Sequence, residues 1–93
     1  MQNLPRFAWS DAALKQLGDL PLKIRKQVVQ KARTLLENPH PPGSRKLHNI
    51  EGSLGEPIYR IRSGDYRILY MEKSVPAYTL VILDVGNRKD VYR

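Results

Sequence analysis

The sequence contains no cysteine. That removes disulfides, thiolate zinc sites and cysteine nucleophiles together and is compatible with a reducing compartment. It is also short of acid: 9 Asp plus Glu stand against 16 Lys plus Arg, a formal net charge of +7. A small domain with that excess repels itself. Phosphate is the commonest beneficiary, because each cation placed on a phosphate releases bound counterions; an acidic protein and an anionic membrane are the competing readings. Long apolar runs are missing as well. The longest, Tyr78 to Val85, includes Asp84 and is far too short to span a bilayer. Met1 to Ser10 has one Arg and no apolar h-region, so no signal peptide is expected and the expected location is the cytoplasm, without membrane attachment. Ready-made catalytic motifs are lacking too: HExxH, Walker A, GxSxG and the glycine-rich dinucleotide turn. The two histidines, His40 and His48, have no carboxylate or second histidine at ligand spacing and read as solvated loop residues. No metal and no cofactor are expected.

What remains fits a single domain over residues 1–93. Phe7 to Trp9 reads as a short first strand. Ser10 reads as the N-cap of a helix, with Asp11 in the first turn, where a carboxylate complements the helix dipole. Ala13, Leu14 and Leu17 follow at helical spacing, and Gly18 to Pro21 breaks the run. A second helix starts near Pro21. Ile24, Val28, Ala32 and Leu35, with a flanking row of Leu22, Val29 and Leu36, give it a broad apolar face, and Asn38-Pro39 ends it. Trp9 and Leu35 are expected in the core. Pro39 to Gly55 reads as a long loop. Strand periodicity then takes over in Ile58 to Arg62, Tyr66 to Met71 and Tyr78 to Val85, with turns at Ser63-Gly64-Asp65 and Glu72 to Pro76. The expected fold is α+β: a short N-terminal strand and a helical hairpin packed on a small antiparallel sheet.

Strand alternation locates the candidate chemistry. Tyr59 and Ile61 point to one face, towards the helices, and Arg60 and Arg62 to the other. An even-length hairpin loop adds Arg67 to the arginine face, whereas an odd one removes it. Arg88 leaves the last strand just past Gly86, and Tyr92 follows; a tail folded back over the open face would bring four arginines and a tyrosine together. Guanidinium groups bind phosphate through a planar fork of donors and offset charge that develops in a phosphoryl transition state. RNA brings its own nucleophile, the 2′-hydroxyl. The structural alternative is that these arginines are exposed strand residues paired with Glu56, Asp65 and Asp84.

A resemblance bears on that choice. Trp9 to Leu17 (WSDAALKQL), Lys46-Leu47 followed by Gly52, the hairpin Tyr59 to Tyr70 (YRIRSGDYRILY) and Val85 to Arg93 (VGNRKDVYR) together resemble the RelE/ParE toxin superfamily, over nearly the whole chain and in the same order. The close of the chain is similar to the RelE branch. That resemblance implies the RelE-like fold and the toxin of a type II toxin–antitoxin pair. It also implies a metal-independent endoribonuclease that cuts mRNA, in most members in the ribosomal A site, leaving a 2′,3′-cyclic phosphate and a 5′-hydroxyl. The implied partners are a cognate antitoxin, mRNA, the ribosome, and operator DNA through the antitoxin complex alone. The family's active-site positions fall on Arg60, Arg62, Arg67, Arg88 and Tyr92, with Lys46, Lys89 and Arg93 as candidate RNA contacts.

This chain differs from the best-known RelE members in three ways. It has arginine where they have lysine at Arg60 and Arg62, which suits phosphate binding rather than proton transfer, since arginine stays protonated. The turn before Arg67 is shorter by two residues, an even number that keeps the sheet face. Tyr92 stands closer to Arg88. Tyr92 is then the candidate base, and the acid is a water, His48 or a ribosomal group. The rival functions are a ParE-like DNA gyrase inhibitor and a non-catalytic binding module or corepressor on the same fold.

Overall fold

The structure, a computed structural model, describes residues 6–74 and 78–87. It consists of β1 (Arg6–Trp9), α1 (Asp11–Gly18), α2 (Leu22–Glu37), β2 (Arg45–Glu51), β3 (Pro57–Ser63), β4 (Tyr66–Lys73) and β5 (Thr79–Asn87). The strands form one sheet in the order β1-β5-β4-β3-β2. Two helices pack on one face of it, the α+β arrangement expected.

Ser10 caps α1 as its sequence position requires: its Oγ accepts from Ala13 N at 3.0 Å. The same hydroxyl donates to the Leu83 carbonyl at 2.8 Å, so the cap also ties the helix to the last strand. Pro21 is the N-cap of α2. The apolar face of α2 buries Val28, Ala32 and Leu35 against Ile61, Ile68, Tyr70, Leu80, Ile82 and Val85 of the sheet. Leu35 is fully buried, while Trp9 is half-buried at the margin of this core. Two residues of the expected apolar stripes, Leu14 and Leu22, lie on the surface.

Two features of the sheet depart from the sequence reading. β1 pairs parallel to β5, Arg6 opposite Thr79 through Trp9 opposite Ile82, so the sheet is mixed, with the other strands antiparallel. The segment expected to be loop throughout, Pro39 to Gly55, contains β2. This strand is at the edge and mostly exposed, with one apolar residue, Leu47, packed against the sheet. It is paired at Arg45–Arg60, Lys46–Tyr59 and Glu51–Pro57, with an irregularity between where Asn49 takes φ 65°, a left-handed conformation that Asn tolerates better than most residues. An edge strand this polar carries no hydrophobic alternation to read.

The β3–β4 hairpin sets the face on which the candidate arginines lie. Ser63 pairs with Tyr66 and Arg62 with Arg67, so the loop is the two residues Gly64-Asp65. Gly64 has φ +60° while Asp65 does not enter the positive region, the glycine-first primed turn that matches the twist of paired strands. The loop is even, and the register follows from it.

Candidate active site

The face of the sheet away from the helices carries the arginines in rows. Arg62 of β3, Arg67 of β4 and Gly86 of β5 stand side by side; the next row is Arg60, Leu69 and Asp84. Arg60, Arg62 and Arg67 therefore share one face, the outcome that strand alternation gives for an even loop. Below them lies a second, smaller apolar cluster of Ile58, Leu69 and Met71, flanked by Leu47, Val81 and Leu83. It gives the cations an apolar floor, which weakens competition from water and strengthens their interaction with an anion.

The three arginines differ in exposure. Arg62 is exposed, Arg60 intermediate, and Arg67 is 5% exposed, on the central strand beside Gly86, which supplies no side chain. Among the described residues Arg62 forms no ion pair. Glu56, one of its possible partners, is engaged in its own turn: its Oε1 accepts from Leu54 N at 3.0 Å. Backbone hydrogen bonds from Glu56 and Leu54 hold that carboxyl below its ordinary value. Asp65 is exposed in the hairpin turn. Asp84 is the acidic neighbour in the second row, and its Oδ1 is buried with no hydrogen-bond partner among the described residues.

Sequence reasoning missed Arg45. As the Cα partner of Arg60 it adds a fourth guanidinium beside the arginine face. The missing signal was β2 itself. Lys46 instead pairs with Tyr59, on the opposite parity. Together Arg45, Arg60 and Arg62 line a cleft of about 360 Å³ with Lys31 of α2 and the Pro42-Gly43 turn. The cleft exists because β2 begins only opposite Arg60, leaving β3 from Ile61 to Ser63 without a strand partner on that side. His48 is exposed on β2, next to the Leu47 that packs on the open-face cluster, so strand parity turns it away from the arginines. Arg88, Lys89, Tyr92 and Arg93 lie outside the described residues.

His40 does acquire a carboxylate, contrary to the sequence reading. Its Nε2 lies 2.8 Å from Glu72 Oε1, and Tyr78 donates to Glu72 Oε2 at 2.8 Å. His40 also meets the ring of Tyr59 edge-on at 4.7 Å, and Tyr59 stacks on Tyr70. The fully buried Tyr70 donates to the Pro39 carbonyl at 2.6 Å. Burial pushes both phenols up; for Tyr78 the hydrogen bond to Glu72 and its negative charge add to the effect. Tyr59 and Tyr70 lie on the helix-bearing face, so this network fastens the end of α2 to β4 rather than joining the arginines.

The far end of β5 is held from the side by α1. β1 stops opposite Ile82, and β5 has an irregularity between Leu83 and its neighbours. Beyond it the Val85 N–H donates to the Gln16 side-chain Oε1 at 2.8 Å. Gln16 thus does the work of the missing strand and fixes Gly86, the residue that faces Arg67. Among the described residues no three His, Asp or Glu side chains gather to hold a metal, and no helix is long and apolar enough to cross a membrane.

Known proteins agree with this architecture. No curated relative matches the sequence. The chain is similar to the archaeal RelE of the RelE–RelB complex from Pyrococcus horikoshii, with 26% identity and a TM-score of 0.72 over 91% of this chain and 96% of that one. It is also similar to a chain of the Mycobacterium tuberculosis toxin–antitoxin complex RelBE2, with 28% identity and a TM-score of 0.69 over 89% and 96%. A chain of the intact Escherichia coli RelBE complex superposes with a TM-score of 0.68 at 25% identity over 88% and 94%. The family model of the ParE toxin of the type II toxin–antitoxin system parDE matches residues 7–92. With that match over nearly its whole length and the RelE structures beside it, the chain belongs to the RelE/ParE toxins of type II toxin–antitoxin systems.

Proposed function

We propose that this toxin is an endoribonuclease that cleaves mRNA, in the ribosomal A site, by attack of a ribose 2′-hydroxyl. The observation that supports this reading most is the row geometry: Arg60, Arg62 and Arg67 on adjacent positions of one sheet face, above an apolar floor. Three guanidinium groups there bind the scissile phosphate and stabilise the extra negative charge of its transition state. The 2′-oxygen forms a bond to phosphorus, the bond from phosphorus to the 5′-oxygen breaks, and the products are a 2′,3′-cyclic phosphate and a 5′-hydroxyl. The nucleophile belongs to the substrate, so the step calls for no metal. Tyr92 takes the 2′-proton and Arg88 adds a further charge to the phosphate; a water or a ribosomal group protonates the leaving 5′-oxygen. Lys89 and Arg93 contact the RNA strand, and Lys46, at the sheet edge, contacts a part of it away from the arginine rows. In the cytoplasm a cognate antitoxin holds the toxin silent, as the RelB-bound relatives suggest, and the pair meets operator DNA through the antitoxin.

The second reading is inhibition of DNA gyrase, favoured by the name of the matching family model. One experiment separates them: 5′-end mapping of a defined mRNA with purified toxin, with and without programmed ribosomes, alongside a gyrase supercoiling assay. Cuts at A-site codons that need ribosomes support the proposal. Intact RNA together with arrested supercoiling overturns it in favour of gyrase, and activity in neither assay leaves a binding module or corepressor.

A further inference from the structure

The cleft beside Arg60 does not end there. It adjoins a larger groove of about 620 Å³ between the outer flank of α2 and the start of the β3–β4 turn. Lys26, Gln27, Gln30, Lys31 and Thr34 form its helical wall, a stripe at the spacing of one helix face, and Arg62 and Ser63 form the other. Lys31 and Arg62 belong to both hollows. A continuous path thus leads from the arginine rows, around the unpartnered end of β3, and along α2. It is lined by Arg45, Arg60, Arg62, Lys31 and Lys26, with no acidic residue in either lining.

We infer that this groove is a second phosphate-binding track, which holds the single-stranded RNA flanking the scissile nucleotide. The inference rests on the ribonuclease reading and extends it away from the reacting phosphate. Two observations favour a nucleic-acid strand over an acidic peptide. The apolar surface of the larger groove comes from the stems of its lysine, glutamine and arginine side chains, with no leucine, isoleucine, valine or aromatic ring to form a pocket for a peptide side chain, and the large apolar residues on the surface, Leu14, Leu22, Ile50 and Leu54, are all outside it. Its polar residues are amides and hydroxyls, which suit sugar and phosphate oxygens and ribose hydroxyls.

The test is binding of two non-cleavable oligonucleotides, uridine carrying 2′-O-methyl groups throughout, one of three nucleotides and one of twelve. The three-mer occupies the arginine rows alone, and the twelve-mer reaches the groove. In the double variant K26A/K31A, whose fold is checked by circular dichroism, the twelve-mer is expected to bind roughly ten-fold more weakly at low salt. Its slope of log affinity against log salt should fall by about 1.4, two phosphates' worth for a single strand. Three-mer binding should fall much less, because only Lys31 of the two lysines borders the arginine cleft. Arg60→Ala weakens both oligonucleotides. If K26A/K31A leaves the twelve-mer's affinity and salt slope intact while R60A weakens both lengths, the track is refuted and the ribonuclease site stands. If R60A weakens neither, the underlying reading fails as well. A poly-glutamate peptide serves as the competing probe: its binding to the wild type and loss in K26A/K31A, with the twelve-mer unaffected, would assign the groove to an acidic protein partner and overturn the inference.

Discussion

Arg67 and Arg62 face each other across the hairpin yet should respond differently to mutation. Arg62 is exposed, so Arg62→Ala should lower RNA cleavage by roughly 10²–10³, the cost of removing one transition-state donor, and leave the urea midpoint where it is. Cleavage kinetics and denaturation on the same preparation check both halves. Arg67 is buried on the central strand, so Arg67→Ala loses cleavage and stability together. Arg88→Ala, beyond the last strand, should abolish toxicity without unfolding the protein; a folded variant that still stops growth would remove Arg88 from the site. Arg60 and Arg62 were legible on one face because Tyr59 to Arg62 alternates cleanly; Arg67 was assigned to it only on condition of an even loop, which the two-residue Gly64-Asp65 turn supplies. Arg45 was not, since its place depends on a polar edge strand with no periodicity. The His40–Glu72 contact was equally hidden: the two residues are 32 positions apart in sequence, and only the direction in which the chain leaves α2 brings them together.

At the scale of elements, β5 is supported by three partners: β1, β4 and the side chains of α1. Gln16→Ala strands the buried Val85 N–H without an acceptor. Its expected cost is about 1–3 kcal/mol, with a loss of cleavage because Gly86 is no longer held opposite Arg67. Restoring the acceptor with Glu should recover part of both; urea denaturation and end mapping report them. Leu35→Ala, in the centre of the α2–sheet contact, is expected to cost about 2–5 kcal/mol and to reduce activity only through unfolding. The segment between α2 and β2 is fastened by Tyr70 and by the Glu72 cluster. Both phenols titrate above their ordinary value near about 10, so the folded chain keeps protons that the unfolded chain releases. This contribution is complete below the ordinary phenol value and is lost as pH rises from there through the raised folded values. The urea midpoint should therefore drop as pH is raised above about 10, and drop less in Tyr78→Phe, which cannot titrate. The helices and their caps were readable from spacing and from Ser10; the parallel pairing of β1 was not, because nothing in four residues records which strand they will lie beside.

For the whole molecule, the excess of positive charge is concentrated where the sheet edge and α2 leave a hollow. RNA binding should consequently weaken steeply with ionic strength, whereas the stability of the fold, built on two apolar clusters, should change little. Titration with potassium chloride in parallel binding and unfolding measurements tests this difference.

The order of the strands has a bearing on synthesis. β1 is made first, but its neighbour is β5, which is made last and also completes the core through Leu80, Ile82 and Val85. A chain emerging from the ribosome N-terminus first has its helical hairpin and β2–β4 available while β1 still lacks its neighbour β5, and a pairing so distant in sequence closes slowly. On the nuclease reading, the arginine rows lack Asp84 and Gly86 until β5 joins the sheet, so the site is expected to be complete only once the last strand has folded.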